Sequence, residues 1–406
     1  MAPHTTLHDP LMAQKKPTYF TYKGPKDFST AIDVAQHYGF HLIEPIEAQK
    51  NLDRKARKVQ GKVKREKSGE WYIHLGDKFA ELNQYIRHME GWPQPALVCH
   101  TLHSRRQIGK VRLSSFGCCQ TISEGLVIAT TLAVLRELGY ENLGVDVNCV
   151  GARKTKEKWG YDFKEHFKKH LNDMRPTCQT LFKQDPLHIT TCDDETCSEI
   201  AAAGPKTLNY LHKADREHLK DICEYLEAIA APYRINNSLV GSHHHDSHTI
   251  FHIREFNDEG KADSPVLARG ERHHSVAGQM GFPRSIPTIS ASIDVPGGRR
   301  ESYKSIENKE VEQPKVYYIH LGTTAKKQSL PVLEKLRREG VTVLQGLTRD
   351  KIRDQITAAE RLKIPHAIIM GEKEATEDTV IVRNMLSQSQ TTIGVNRLPQ
   401  YLKKVA

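Results

Sequence analysis

Apolar positions recur at helical spacing at Phe28, Ile32, Ala35 and Tyr38, and the run stops at Gly39, a residue suited to a helix C-terminus. The next stretch, FHLIEPIEA, reads as a short strand ending near Pro45. Residues 71–75 read as a strand and Lys78 to Met89 as a helix. An amphipathic run from Glu124 to Leu138, closed by Gly139, predicts a helix followed by a strand over Gly144 to Cys149. Lys154 to Ala231 reads as mostly helical, broken at PLHITTCDDETC. The stretch Arg234 to Glu255 has an apolar start (Leu239, Val240), a polar middle and an apolar exit, the pattern of a strand whose central side chains face a site rather than a core. Gly260 to Val295 would complete the same sheet. From Lys315 onward strands (VYYIHL, VTVLQ, HAIIMG, TVIVRN, TTIGV) alternate with helices (Ser329 to Glu339, Asp350 to Leu362, and a last one), which predicts a compact α/β unit with a mostly parallel sheet.

Composition narrows the class. With 406 residues, 38% hydrophobic and 27% charged, the chain is an ordinary globular protein with room for two or three domains. No apolar run approaches the roughly 20 residues a membrane span needs, and the polar N-terminus lacks the pattern of a secretory or organellar leader. A cytoplasmic protein is the simplest expectation. The net charge of +10 is concentrated in Arg54 to Lys67. Its Arg54, Lys55, Arg57, Lys58, Lys62, Lys64, Arg65 and Lys67 favour a polyanion partner through counterion release, although a solvated charged loop accounts for that run equally well taken alone.

The stretch LVGSHHHDSHTIFH carries the resemblance that organises the rest. It is similar to the run L-V-R-G-L-D-Y-Y-T-R-T-x-F-E of histidyl-tRNA synthetases, class IIa aminoacyl-tRNA synthetases, with Gly241 at the arginine. LHSRRQIGKVR resembles the second class II motif, which cradles ATP: Gln107, Gly109 and Arg112 match, Leu102 falls at the ATP-binding arginine, and Ser104 replaces a glutamate. FGCCQTIS places Gln120 at another glutamate. In LGDKFAE the Arg-Pro-Glu trio of the family's Leu-Arg-Pro-Glu is absent, with Ala80 at a nearby threonine. GERHHSV echoes G-G-R-Y-D-G-L, keeping Arg272 but holding His273 and His274 at the tyrosine and aspartate. The first class II motif is echoed up to Pro45, which in the family lies at a homodimer interface. MRPTCQTLFKQDPLHITTCDDETC resembles the family's insertion, and residues 315–406 resemble its anticodon-binding domain, with Gln355 and Arg383 in the closest-matching stretches.

This resemblance implies a fold and a division of the chain: a flexible N-terminus over 1–17, a catalytic-like α+β domain over 18–295 built on an antiparallel sheet with an insertion at about 151–231, a linker over 296–314, and an anticodon-binding-like α/β domain over 315–406. It implies a homodimer that binds tRNA or other RNA through that last domain, through Gln355 and Arg383, and through the basic run. The changes at Leu102, Gln120 and Gly241 leave a relic pocket of Arg112, Gln120, His243, His244, His245, Asp246, His248, Arg272, His273 and His274. The expectation is therefore a paralogue without aminoacylation, using no ATP or magnesium; the alternative is a divergent, active histidine–tRNA ligase that uses both. Two clusters could take a divalent transition metal: His244, Asp246 and His248, which share one face of a strand, or Cys178, Cys192 and Cys197, with Arg175 where a fourth cysteine would stand.

Overall fold

The computed structural model describes residues 21–22, 26–43, 52, 54–56, 58, 75–89, 95–102, 109–184, 186–192, 194–241, 247–262, 264–295, 306–307, 314–346 and 349–405. In chain order its elements are β1 (Thr21–Tyr22), α1 (Lys26–His37), β2 (His41–Leu42), α2 (Leu75–Gln84), β3 (Ala96–Leu102), β4 (Gly109–Phe116), α3 (Ile122–Glu137), β5 (Leu143–Cys149), α4 (Arg153–Lys168), α5 (Pro176–Gln184), α6 (Glu195–Ala203), α7 (Lys213–Ala228), β6 (Tyr233–Ile235), β7 (Ser247–Glu255), β8 (Ala268–His273), α8 (Val276–Gln279), β9 (Thr288–Val295) and β10 (Ile306–Glu307). They continue with β11 (Val316–His320), α9 (Thr323–Arg338), β12 (Val343–Gln345), α10 (Ile352–Arg361), β13 (His366–Met370), α11 (Glu372–Thr376), β14 (Thr379–Asn384), β15 (Gln390–Gly394) and α12 (Leu398–Val405).

The larger sheet runs β2-β3-β4-β9-β8-β7-β5-β6, antiparallel throughout except for the two edge pairs. Side chains alternate across a strand, and here the alternation separates two kinds of face. Leu97, Cys99, Val111, Leu113, Ile289, Ala291, Ile293, Val145, Val147, Phe251 and Ile253 join one apolar cluster with residues of α1, α3 and α7. The opposite face is polar yet buried. Its strand register aligns His100, Arg112, Ser292, Arg269, His252, Asp146 and Arg234 in one row. Ser114, Ser290 and Glu271 form part of the next row. A sheet that buries polar groups on a whole face has that face reserved for something other than a core.

The C-terminal sheet, β12-β11-β13-β14-β15, is half parallel: β12, β11 and β13 run together, and β14 and β15 turn back as hairpins. The expected mostly parallel sheet is corrected accordingly, because Asn384 to Ser389 makes a short turn that only antiparallel neighbours can use. The helix expected from Ser329 starts six residues earlier, at Thr323, and carries Pro331 inside it. Leu330, Leu333 and Leu336 of α9 share the apolar cluster of α3 and α7. Close approach is possible because Gly125 of α3 has no side chain; a Cβ there would lie 3.0 Å from Tyr225 and 3.1 Å from Leu330. Polar ties flank this contact: Tyr38 donates to Glu334 at 2.6 Å, and Arg337 pairs with Glu137 at 3.0 Å. Within the segment expected to link the two units, Ile306–Glu307 pairs with Thr21–Tyr22; most of that segment, like the N-terminus, lies outside the described residues.

Candidate functional site

The polar face is roofed by α2. Leu75, Phe79 and Leu82 recur at helical spacing and enter an apolar cluster with Tyr85, Met89, Phe116, Val276 and Met280. That orientation turns Lys78 and Glu81, on the flank of the stripe, down onto the sheet. Lys78 is fully buried, and its Nζ lies 2.6 Å from Glu271 Oε1. Glu81 Oε1 is 3.1 Å from Arg112 Nη1 and 3.6 Å from His100 Nε2. Its Oε2 accepts from Ser114 at 3.1 Å and from Ser290 at 3.5 Å. Burial lowers the Lys78 pKa against the opposing pull of Glu271. Burial also pushes Glu81 up, but Arg112 and His100 outweigh it and hold the carboxyl below its ordinary range.

A second network crosses to α3. The Arg272 guanidinium clasps the Glu124 carboxylate, with Nη2 donating to Oε2 at 2.5 Å, and donates to the carbonyls of Cys118 at 2.9 Å and Gln120 at 3.2 Å. His218 Nε2 lies 2.8 Å from Glu124 Oε1 and 3.0 Å from Thr249 Oγ1. Burial raises the Glu124 pKa, yet Arg272 and His218 bring it below the carboxylate range. His248 Nδ1 stands 3.2 Å from Asp215 Oδ1, and the His248 ring is 5.0 Å from that of His274. Burial, then Arg272 and His248, lowers the His274 pKa to about 3. Burial and neighbouring Lys78 take His273 well below its usual value.

Of the residues expected in a pocket, Arg112, His248, Arg272, His273 and His274 are brought to this region. His243, His244, His245 and Asp246 lie outside the described residues, so the His244–Asp246–His248 ligand set is represented by His248 alone. Gln120 is corrected: its side chain leaves the pocket, donating to Asp350 at 3.2 Å and accepting from Lys326 at 2.8 Å on the C-terminal unit. Leu102 ends β3, and Gly241 sits at φ +63 just before β7, a backbone conformation that suits glycine.

One expected RNA contact, Gln355, is also corrected. Gln355 is completely buried, with Nε2 donating to the His320 carbonyl and Oε1 accepting from the His320 amide, so it ties α10 to β11. Lys55 donates to the Met280 carbonyl, capping the end of α8. Arg54, Lys55 and Lys58 are exposed, and Arg383 is partly buried on β14. Arg57, Lys62, Lys64, Arg65 and Lys67 lie outside the described residues.

Four buried charges among the described residues, Lys78, Glu81, Glu124 and Glu271, were missed in the sequence. Glu124 carried a signal: it opens an otherwise apolar run, ISEGLVIATTLAVL, where an unpartnered carboxylate would be costly to bury.

Comparison with known proteins gives this arrangement its context. Residues 315–405 match the anticodon binding domain family model. The histidine–tRNA ligase of Halothermothrix orenii is 26% identical over 305 residues, 74% of this chain and 71% of that protein. That of Desulforamulus reducens is 26% identical over 326 residues, 77% and 76% of the two chains. Along about three quarters of its length this chain is similar to histidine–tRNA ligases. The crystal structure of apo S. aureus histidyl-tRNA synthetase matches at 20% identity and a TM-score of 0.48 over 93% of this chain and 94% of that one. The chain carries the mixed sheet with flanking helices and the C-terminal anticodon-binding domain expected from its sequence.

Proposed function

We propose that this histidyl-tRNA synthetase-like protein binds tRNA or a related RNA without activating histidine. One observation carries the reading: all five arginines of the described strands of the large sheet have a carboxylate within 4 Å. Arg112 has Glu81 at 3.1 Å, Arg254 has Asp146 at 3.6 Å, Arg269 has Asp294 at 3.8 Å, Arg234 is closed on Asp146, and Arg272 is closed on Glu124. Adenylate formation brings a carboxylate up to an ATP phosphate and needs cations aimed at the charge that develops. Each such stabiliser is worth roughly 10² to 10³ in rate. Guanidinium groups already neutralised offer little of this, and Glu81 and Glu124 are equally committed as acceptors.

On this reading the described strands offer ATP and magnesium, which the family's ligases would use, no arginine without a carboxylate beside it. In the frame that puts Ala80 at the family's threonine, Lys78 takes the place of its glutamate. An ammonium and its partner Glu271 then stand where a substrate ammonium would be held. RNA binding rests on the anticodon binding domain match and on the basic run. The reading retains a homodimer, and a catalytic-like unit over 18–295 joined through 296–314 to the C-terminal domain.

The test is histidine-dependent ATP–pyrophosphate exchange, expected at background, together with tRNA binding whose affinity falls steeply with salt. Charge reversal at Lys62, Lys64 and Arg65 should flatten that salt dependence. Exchange at a synthetase-like rate overturns the proposal. That outcome is the second reading, a divergent ligase, which the 26% identity to histidine–tRNA ligases over three quarters of the chain favours.

A further inference from the structure

The insertion between β5 and β6 has its own apolar cluster, including Trp159, Phe163, Phe167, Phe182, Leu187 and Ile189, and three cysteines meet at its rim. Cys178 comes from the first turn of α5, Cys192 follows the helical turn Pro186–Thr191, and Cys197 lies in the first turn of α6. Their sulfurs all lie within 4.8 Å of one another, and Cys178 and Cys192 are 3.6 Å apart. A zinc ion with Zn–S bonds of about 2.3 Å spaces its thiolates about 3.8 Å apart. The observed triangle therefore needs sulfur movements of an ångström or less. A disulfide requires about 2.05 Å and would leave the third sulfur without a role.

The backbone around the sulfurs is already fixed. Asp194 caps α6 through the Cys197 amide at 3.0 Å, Ser198 donates to the Cys192 carbonyl at 3.2 Å, and Arg175 pairs with Asp194 at 2.6 Å. Cys178 and Cys197 are buried while Cys192 is half-buried, which leaves an ion a path in from one side.

The geometry points to a zinc site built from the Cys178, Cys192 and Cys197 thiolates, with water at the fourth corner on the Cys192 side and the Arg175 guanidinium offsetting the excess negative charge. Soft sulfur ligands select zinc over magnesium or calcium. The ion joins α5, the Pro186–Thr191 turn and α6, three short elements whose own core is small.

The full-length protein, made without an affinity tag and purified in reductant without chelator, should contain about one zinc per chain by mass spectrometry of the metals. Cobalt(II) added to the stripped protein should give a tetrahedral spectrum with sulfur-to-cobalt charge transfer, which separates this site from any histidine-bound ion. Cys192→Ser and Cys197→Ser should each abolish that band, and Cys223→Ser should retain it. Failure of stripped, reduced wild-type protein to develop the band overturns the proposal, whatever the variants do. So does zinc content unchanged by Cys192→Ser with Cys197→Ser, or a Cys178–Cys192 disulfide in protein alkylated at lysis.

Discussion

The Lys78–Glu271 pair offers the sharpest test of how the polar face is held. Both side chains are excluded from solvent, at 0% and 2% exposure, and their charged atoms are 2.6 Å apart. In Glu271→Gln the ammonium keeps a weaker attraction from Glu81 and meets repulsion from Arg112. Removing one member of a buried pair costs about 3–5 kcal/mol, whereas replacing both with apolar or neutral groups of similar size is often neutral or stabilising. Glu271→Gln and Lys78→Met should therefore each lower the melting temperature by roughly 6–20 °C, at about 2–4 °C per kcal/mol. The double variant should return to within about 1 kcal/mol of the parent, a coupling of some 3 kcal/mol or more.

The Glu271→Gln variant should also respond to pH. In Glu271→Gln the stranded Lys78 has a folded pKa below its unfolded one. Its penalty is greatest at neutral pH and shrinks as rising pH deprotonates it. Thermal and urea melts of the four proteins at pH 6, 7 and 9 measure all of this. Singles costing under about 1 kcal/mol, or a double equal to their sum, would refute the idea that the face is closed by paired charge.

Burial lowers His41 and His320 to about 4, and burial with Arg272 lowers His274 to about 3, all from an ordinary 6.5. Because each is depressed in the folded state, the unfolded chain takes up protons first. The unfolding free energy from urea melts should therefore fall as pH drops below about 6.5, by up to about 1.4 kcal/mol per pH unit for each histidine; a midpoint flat from pH 7 to 5 contradicts this. Gly270→Ala would put a Cβ 2.2 Å from Phe251 Cζ and 2.8 Å from the Ser290 carbonyl, and should cost about 1–3 kcal/mol in the same melts. Gly278→Ala meets open space within α8 and should be neutral or gain about 0.4–1 kcal/mol. Leu330→Ala, which empties the contact of α9 with α3 and α7, should cost about 2–5 kcal/mol, and limited proteolysis should then cut between the two units sooner than in the parent.

What the sequence revealed followed the strength of local periodicity. Helix α3 and strand β5 were legible because their apolar runs are long and bounded by Gly139 and by the bend after Cys149. The C-terminal strands were legible for the same reason, but their direction was not, since orientation is set by the turn after β14 rather than by the strands themselves. The site was harder to read because its meaning lies in pairs far apart in the chain: Lys78 with Glu271, Glu81 with Arg112, Glu124 with Arg272. Matched against a family pattern, Arg112 and Arg272 read as retained, while Lys78 stood in a lost motif and Glu81, Glu124 and Glu271 drew no role. Folded together, lost carboxylates are answered by gained ones elsewhere: Lys78 takes the frame position of a glutamate, and Glu271 then supplies the opposing charge. A face that had merely decayed would leave stranded charges, each costing several kcal/mol. The reciprocal pairing instead satisfies each buried charge, so the Lys78–Glu271 cycle measures how the face is held while the exchange assay measures what it does.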